Sequence, residues 1–328
     1  MTLLRLGPAA LRASRFALSP LAETLSQLGR LRRQLDGRTA GPHSQALGRL
    51  LSQDPFSDGL VRLVTATKFL PDFVALPPTG MNTRLDDELA VMRGVLDEQA
   101  HATLVEAQRF AWASDGIGWA DVAGITTRAA GVFARCWAEF VEPDWPRRRA
   151  IMERDIRHRA GVLAVTGWRH ALDGMARGLQ WVGDDSIQFS TQTFVDRMVG
   201  DAGLVFVPHT GPSSKWTCEA PPRIALVYPA RGALANVPLA APGLWRLLGH
   251  RKSRILLELR TPATPSQLAT LFDVSLGTVS AHLAALRDAG VVAGRRSGRA
   301  VYYELTRSGD ELARLVVGAS ESLATEPG

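Results

Sequence analysis

Ser275, Thr278, Ser280 and His282 place four hydrogen-bonding side chains along a segment whose apolar positions, Val279, Leu283 and Leu286, recur at spacings of four and three. That spacing predicts a helix with one buried face, and the polar set falls largely off it. Small polar groups near the N-terminus of such a helix can reach base edges and phosphates in a DNA major groove. Further on, Arg295, Arg296 and Arg299 surround Ser297-Gly298. Guanidiniums around a tight turn can grip phosphates or enter the minor groove. Tyr302 follows, on the side of its strand opposite Val301, Tyr303 and Leu305. The expected chemistry is recognition of double-stranded DNA. Each residue also has a plainer role: Ser275 caps a helix, His282 packs against the following hairpin, and the arginines can form a solvated tip.

The elements that would position these groups are legible around them. Thr264, Pro265 and Gln267 open a short helix as a capping box, with Leu268, Leu271 and Phe272 inward. Ser275 caps the next helix, and Gly290 ends it. A short helix, a tight turn and a longer helix are the parts of a helix-turn-helix. Val291 to Arg296 and Ala300 to Leu305 then read as two strands about a glycine turn, a wing. Ahead of them, Pro242 opens a short helix, and a second helix from about Arg251 buries Ile255, Leu256 and Leu259. Behind them, Ser308 to Glu311 reads as a capping box for a last helix bearing Leu312, Leu315 and Val316.

The 328 residues suit two domains. Residues 1–236 are expected to form a mainly helical α+β domain with a small β region, serving effector binding, oligomerisation or both. Residues 237–328 are expected to form the winged helix-turn-helix. In the first part, Leu21, Leu25 and Leu28 mark one helix, Asp86 to Phe110 another, and Arg147 to Met175 one or two basic helices. Near Leu179 the period changes to that of strands. A hairpin turns at Gly183, and Leu204 to Pro208 and Arg223 to Pro229 are buried strands ended by proline.

Charge agrees with this division. The chain carries +6, almost all of its cations being arginine, since lysine occurs only at Lys68, Lys215 and Lys252. From Arg251 to Arg307, nine basic residues oppose four acidic ones, so most of the excess sits in the C-terminal module.

The strings Leu248 to Leu256, Gln267 to Leu283, Leu286 to Val292 and Gly298 to Thr306 together resemble an ArsR/SmtB-type (arsenic-repressor-like) winged helix over about a quarter of the chain. The preceding region, with Glu142-Pro-Asp-Trp-Pro-Arg, Leu204-Val-Phe-Val-Pro and Leu226-Val-Tyr-Pro-Ala-Arg-Gly, resembles an uncharacterised domain fused to such regulators in actinobacterial-type proteins. The resemblance implies a homodimer built from the first and last helices of the module. It also implies a repressor that leaves a pseudo-palindromic operator when an effector of unidentified kind binds. Two positions depart from it. Ala281 stands where many relatives have a polar residue, and Asp273 where a turn glycine is common. The metal sites of those relatives are also missing: Thr264 to Phe272 has no cysteine or histidine, and the last helix offers only Asp310 and Glu311. No metal and no cofactor is therefore expected.

Other chemistry is weakly represented. No phosphate-binding glycine loop, nucleophile elbow or zinc-protease helix occurs, so the chain is not expected to be an enzyme. Asp184 and Asp185 belong to a turn. Cys136, Cys218 and His209 lack a further ligand pair at metal spacing. Seven tryptophans in the first domain (112, 119, 137, 145, 168, 181 and 216) read first as packing residues, with an aromatic ligand pocket as the sharper alternative. With two distant cysteines, no long apolar run and no leader pattern, a cytoplasmic protein with no membrane contact is expected. The leading expectation is a sequence-specific DNA-binding transcription regulator, an ArsR-like repressor not using the usual metal sites. A winged-helix scaffold for protein interactions is the alternative.

Overall fold

A computed structural model describes residues 2–37, 41–112, 116–190, 195–211, 215–231, 248–260, 262–272, 274–297 and 300–317. The chain is α+β and divides into two compact units. One comprises Met1–Trp145 and Arg159–Ala230, the other Pro146–His158 and Arg231–Gly328.

The first unit opens with β1 (Thr2–Leu6), α1 (Pro8–Ala13) and β2 (Arg15–Phe16). Helices α2 (Pro20–Asp36), α3 (Pro42–Ser52), α4 (Pro55–Ala66), α5 (Leu85–Arg93), α6 (Asp97–Arg109) and α7 (Ile125–Phe140) follow. After α8 (Trp145–Thr166) and α9 (Trp168–Ala171) come β3 (Gln180–Val182), β4 (Ser186–Ser190), β5 (Arg197–Val199), β6 (Leu204–His209), β7 (Trp216–Ala220) and β8 (Arg223–Pro229). Proline stands at the first position of α1 to α4, where its missing N–H costs no hydrogen bond and its φ already suits a helix.

Two four-stranded sheets run in the orders β3-β4-β1-β5 and β2-β6-β8-β7. In the second, β6 lies parallel to both β2 and β8, and β7 returns antiparallel on β8. The expected hairpin at Gly183 is β3-β4, with the glycine at a φ of +63°. Strands β1 and β2 fall within a stretch read as mostly helical. Five residues of Thr-Leu-Leu-Arg-Leu are too few for periodicity to separate strand from helix, and the Gly7-Pro8 stop was the available signal. The expected helix across Asp86 to Phe110 is two helices, broken after Arg93 at Gly94-Val95-Leu96.

Helix α2 holds the unit together. Ser19 caps it, the Ser19 hydroxyl accepting from the Ala22 N–H. Leu21, Leu28 and Leu31 join a helical core with Phe56, Leu60, Leu89, Phe133 and Cys136. Its other side is polar and equally buried. The Glu23 carboxylate accepts from the Thr210 N–H at 2.7 Å and from the Gln27 side-chain amide at 2.8 Å. The Ser26 hydroxyl lies 2.7 Å from His209 Nδ1, which also accepts from the Gly211 N–H. That N–H leaves Nδ1 unprotonated, so Ser26 donates to it. His209 is thereby a tether between α2 and the end of β6.

Glu88 of α5 closes the other end. Its carboxyl meets the Ser19 hydroxyl and the Leu21 N–H, and burial pushes its pKa up to about 8. Folded protein therefore holds this proton through a range in which unfolded chain has lost it. The stabilisation is complete below pH 4.5 and is lost as pH rises through 8. Replacing Glu88 with Gln is expected to remove that trend. Between pH 5 and 8 the wild-type unfolding free energy should fall relative to the variant by up to about 1.4 kcal/mol per pH unit. Parallel urea titrations check this, and superimposable pH profiles would refute it.

Candidate nucleic-acid interface

The second unit packs α10 (His250–Glu258), α11 (Pro265–Phe272), α12 (Leu276–Asp288) and α13 (Arg307–Val317) with β9 (Val292–Ser297) and β10 (Ala300–Leu305). Ile255, Leu256 and Leu259, Leu268 and Leu271, and Val279, Leu283 and Leu286 are all buried, as their spacing predicts. Phe272 is half-buried beneath the Arg254 guanidinium, 4.9 Å from its ring centre. The expected helix at Pro242 and the turn residue Asp273 lie outside the described residues.

Caps fix where each helix begins. The Thr264 N–H donates to Gln267 Oε1 at 2.9 Å and the Gln267 N–H to Thr264 Oγ1 at 3.3 Å, a reciprocal capping box. Ser275 caps α12, its Oγ accepting from the Thr278 N–H at 3.2 Å and lying 2.8 Å from Thr278 Oγ1. Gly290 ends the helix at a φ of +70°. The last helix is capped two residues earlier than expected. Thr306, not Ser308, supplies the oxygen, accepting from the Gly309 N–H at 3.1 Å while its hydroxyl donates to the Gly290 carbonyl at 2.7 Å. Glycine is required at 309, because a Cβ there would lie 1.9 Å from the Val291 carbonyl oxygen.

On α12, Ser275, Leu276, Gly277, Ser280 and Ala281 form an exposed N-terminal surface, with Thr278 half-buried beside it. Leu276 was not among the expected site residues, yet it is 51% exposed and adds an apolar contact group to that surface. His282 turns inward. Its Nε2 is enclosed with no hydrogen-bond partner. Burial first, then nearby Lys252 and Arg251, lowers its pKa, so the ring is neutral at pH 7. These two cations at the start of α10 thus lie close to α12, a neighbourhood that sequence spacing did not indicate.

In the wing, β9 pairs antiparallel with β10, and Ala263 adds a further bridge to Tyr303. Arg295 faces Tyr302 and Arg296 faces Val301 across the ladder. Directly paired residues share a face and neighbours along a strand do not. Arg295 and Tyr302 therefore lie on one face and Arg296 on the other, both arginines exposed. Arg299 lies outside the described residues. Val301 shares the inward face with Tyr303 but is 41% exposed, because near the tip the wing has left the helical body.

Residues 146–158 of α8 belong to this unit and are bound to it by arginines. Arg147 Nε donates to the Leu271 carbonyl at 2.9 Å, a cation meeting the C-terminal end of α11. Arg154 pairs with Glu258, both side chains mostly buried at 12% and 15% exposure. Burial pulls the Arg154 pKa down and the Glu258 pKa up, each opposed by its partner. The Arg231 N–H donates to Asp155 Oδ1 at 3.0 Å. Among the described residues, no group of three or more His, Cys, Asp or Glu is placed to hold a metal ion, and no single helix is long and apolar enough to cross a membrane.

With this geometry in view, residues 253–295 match the helix-turn-helix domain family, from within α10 through α12 into the first wing strand. No match is found among curated protein sequences. Among solved structures the chain is similar to a double mutant of ZitR from Lactococcus lactis in its apo form. The identity is 20% and the TM-score 0.22, over 24% of this chain and 64% of that one. The chain thus spans just under two thirds of that structure's length. The helix-turn-helix domain supports a DNA-binding transcription regulator.

Removing one member of a buried ion pair leaves the other charge unmet, which costs about 3–5 kcal/mol, whereas an apolar pair of similar size can be neutral. Glu258→Gln is expected to destabilise the second unit by roughly 3 kcal/mol, and Arg154→Met with Glu258→Leu to recover most of it. Urea unfolding of the full chain measures both. Equal destabilisation in the single and double variants would show that the pair's charge is not what matters.

Proposed function

We propose that the chain is a sequence-specific transcription regulator, an ArsR-like repressor acting as a homodimer on a pseudo-palindromic operator in the cytoplasm. In this reading residues 237–328 bind DNA, while residues 1–236 receive an effector, contribute to oligomerisation, or both. It has no catalytic role and does not use the metal sites of metal-sensing relatives. The supporting observation is the exposed N-terminal surface of α12 beside a wing carrying an arginine on each face.

Roles follow from position. Ser280, Thr278 and the exposed methylenes of Leu276 meet base edges in the major groove, and Ser275 with the first N–H groups of α12 meets a phosphate. Arg295, Arg296 and Arg299 neutralise phosphates from the wing, with Tyr302 beside Arg295. His282 acts indirectly, by holding α12 against the start of α10, and Ala281 gives no hydrogen-bonded base contact.

Selection from a random duplex pool should enrich a two-fold-related site. For that site, log affinity should fall linearly with log salt. Arg295→Ala or Arg296→Ala should each flatten that slope by about 0.9 for every phosphate the variant no longer neutralises. Ser280→Ala should instead change base preference at one position of each half-site while leaving the slope intact. Failure to enrich any duplex would overturn the regulator reading, and an unchanged slope in both arginine variants would remove the wing from the interface.

A further inference from the structure

The first unit contains a cavity of about 520 Å³ lined by the β1-β4-β5 edge, α2, the end of α4 and β7. That volume lies in the range of small-molecule sites. Leu4, Leu25, Val64 and Leu70 give it apolar walls, and Phe69, Trp112, Phe189 and Trp216 add aromatic surfaces. Trp112 is 68% exposed. An indole left this open beside a cavity is a contact surface awaiting an apolar partner. Of the other tryptophans singled out by sequence, Trp137 packs on Trp145, Trp168 stacks on Phe206, Trp119 meets Phe56 edge-on and the Trp181 indole donates to the Gly183 carbonyl, while Trp216 stands 5.1 Å from the His209 ring and lines the cavity.

Charge inside the cavity is unbalanced. Among the described residues, its carboxylates are Asp72 and Glu219, and its cations are Arg33, Lys68, Arg197 and Lys215. Arg197 is taken up by Glu219 at 3.0 Å, with Asp72 close enough to interact with both. Arg33 and Lys68 make no ion pair among the described residues. Lys215 Nζ donates to the Arg177 carbonyl at 2.6 Å and stands 5.8 Å from the Phe189 ring centre. Partial burial pulls its pKa down, and no carboxylate among the described residues offsets this. An ammonium that has given up water without meeting a counter-charge is relieved by an incoming anion.

We infer that this cavity binds a small aromatic carboxylate, its carboxylate met by Lys215 and its ring by Phe189 and Trp216, with Trp112 at the mouth. Arg33 and Lys68 draw the anion in, since both are exposed cations at the cavity. Neutral aromatic amides would leave the ammonium unpaired, and aromatic amines would add a like charge. The inference rests on reading the first unit as the effector-receiving part, and it names the chemical class of that effector.

The test uses the full chain without DNA, so its failure is separable from failure of DNA binding. Calorimetric titrations compare 2-naphthoate and indole-3-acetate with their primary amides, with tryptamine and with decanoate. Both aromatic acids should bind, and the amides, tryptamine and decanoate should each bind at least tenfold more weakly. Lys215→Met should cost the acids tenfold or more and abolish their advantage over the amides, while Lys215→Arg retains it. Trp112→Ala, at an exposed position, should weaken acid binding several-fold without lowering the thermal midpoint. Arg307→Ala, at an exposed residue of the other unit, should change nothing. No binding by either acid, equal binding of acids and amides, or an acid preference that survives Lys215→Met would each overturn the assignment. Preference for decanoate would overturn its aromatic part.

Discussion

Burying a carboxylate removes its water, and the protein must replace that water with donors or with a proton. Much of the first unit depends on how two glutamates meet this requirement. Glu23 is fully buried, with the Thr210 N–H and the Gln27 amide aimed at it. Glu88 receives one hydroxyl and one N–H and holds its proton up to about pH 8. The two residues sit on different helices, yet each fixes α2: Glu23 ties it to the end of β6, and Glu88 ties its first turn to α5. Because the donors are directional, they set the rotation of α2 as well as its position. Leu21, Leu25, Leu28 and Leu31 must then enter the helical core, while Ser26 and Gly29, with one side of Leu25, border the cavity. The cavity wall is thus a consequence of where the buried carboxylates find partners.

The same requirement is met differently in the second unit. Glu258 has a whole cation beside it, Arg154, and the pair ties residues 146–158 to the first helix of the winged-helix body. Two charges in a place where an apolar pair would serve add little net stability. Their directional contact does select one register of α8 on α10, and Arg147 at the end of α11 selects the same one. Three arginine-centred contacts along thirteen residues, counting Arg231 on Asp155, add directional anchoring to the apolar burial of Ile151, Met152 and Ile156.

Legibility differed between the units for a physical reason. The winged helix is built from short-range rules: caps at Thr264 and Ser275, a glycine stop at 290, apolar spacings of three and four, and a two-stranded wing. Each is written within a few residues, and each has the expected geometry. Where a local rule was ambiguous, the cap lies two residues from the expected position, at Thr306 and not at Ser308. The first unit depends on pairings between residues 180 or more apart, such as Ser26 with His209 and β1 with β4. No local pattern announces them. Its β6 and β8 strands were visible because both faces of each are buried, giving continuous apolar runs. The cavity was not visible, because its lining comes from segments distributed between Thr2 and Glu219. The attachment of residues 146–158 was equally hidden, since a basic amphipathic helix reads the same whether its arginines face solvent or carbonyl groups.

The wing ladder constrains how such a module can meet DNA. Adjacent strand residues point to opposite faces, so Arg295 and Arg296 cannot both lie flat against one phosphodiester chain. A wing laid broadside on the backbone would use one of them and leave the other in solvent. Entered edge-on, the same wing sets one guanidinium toward each wall of the minor groove, where the two backbones approach most closely. The wing's composition fits that geometry. Gly294 faces Tyr303 and leaves the inward side narrow, and Val301 is apolar and exposed near the tip. Broadside docking would gain little from an exposed valine, whereas a narrow groove can exclude water from it. In the proposed DNA-binding role, the alternation of the strand therefore makes edge-on entry the arrangement in which both arginines contribute.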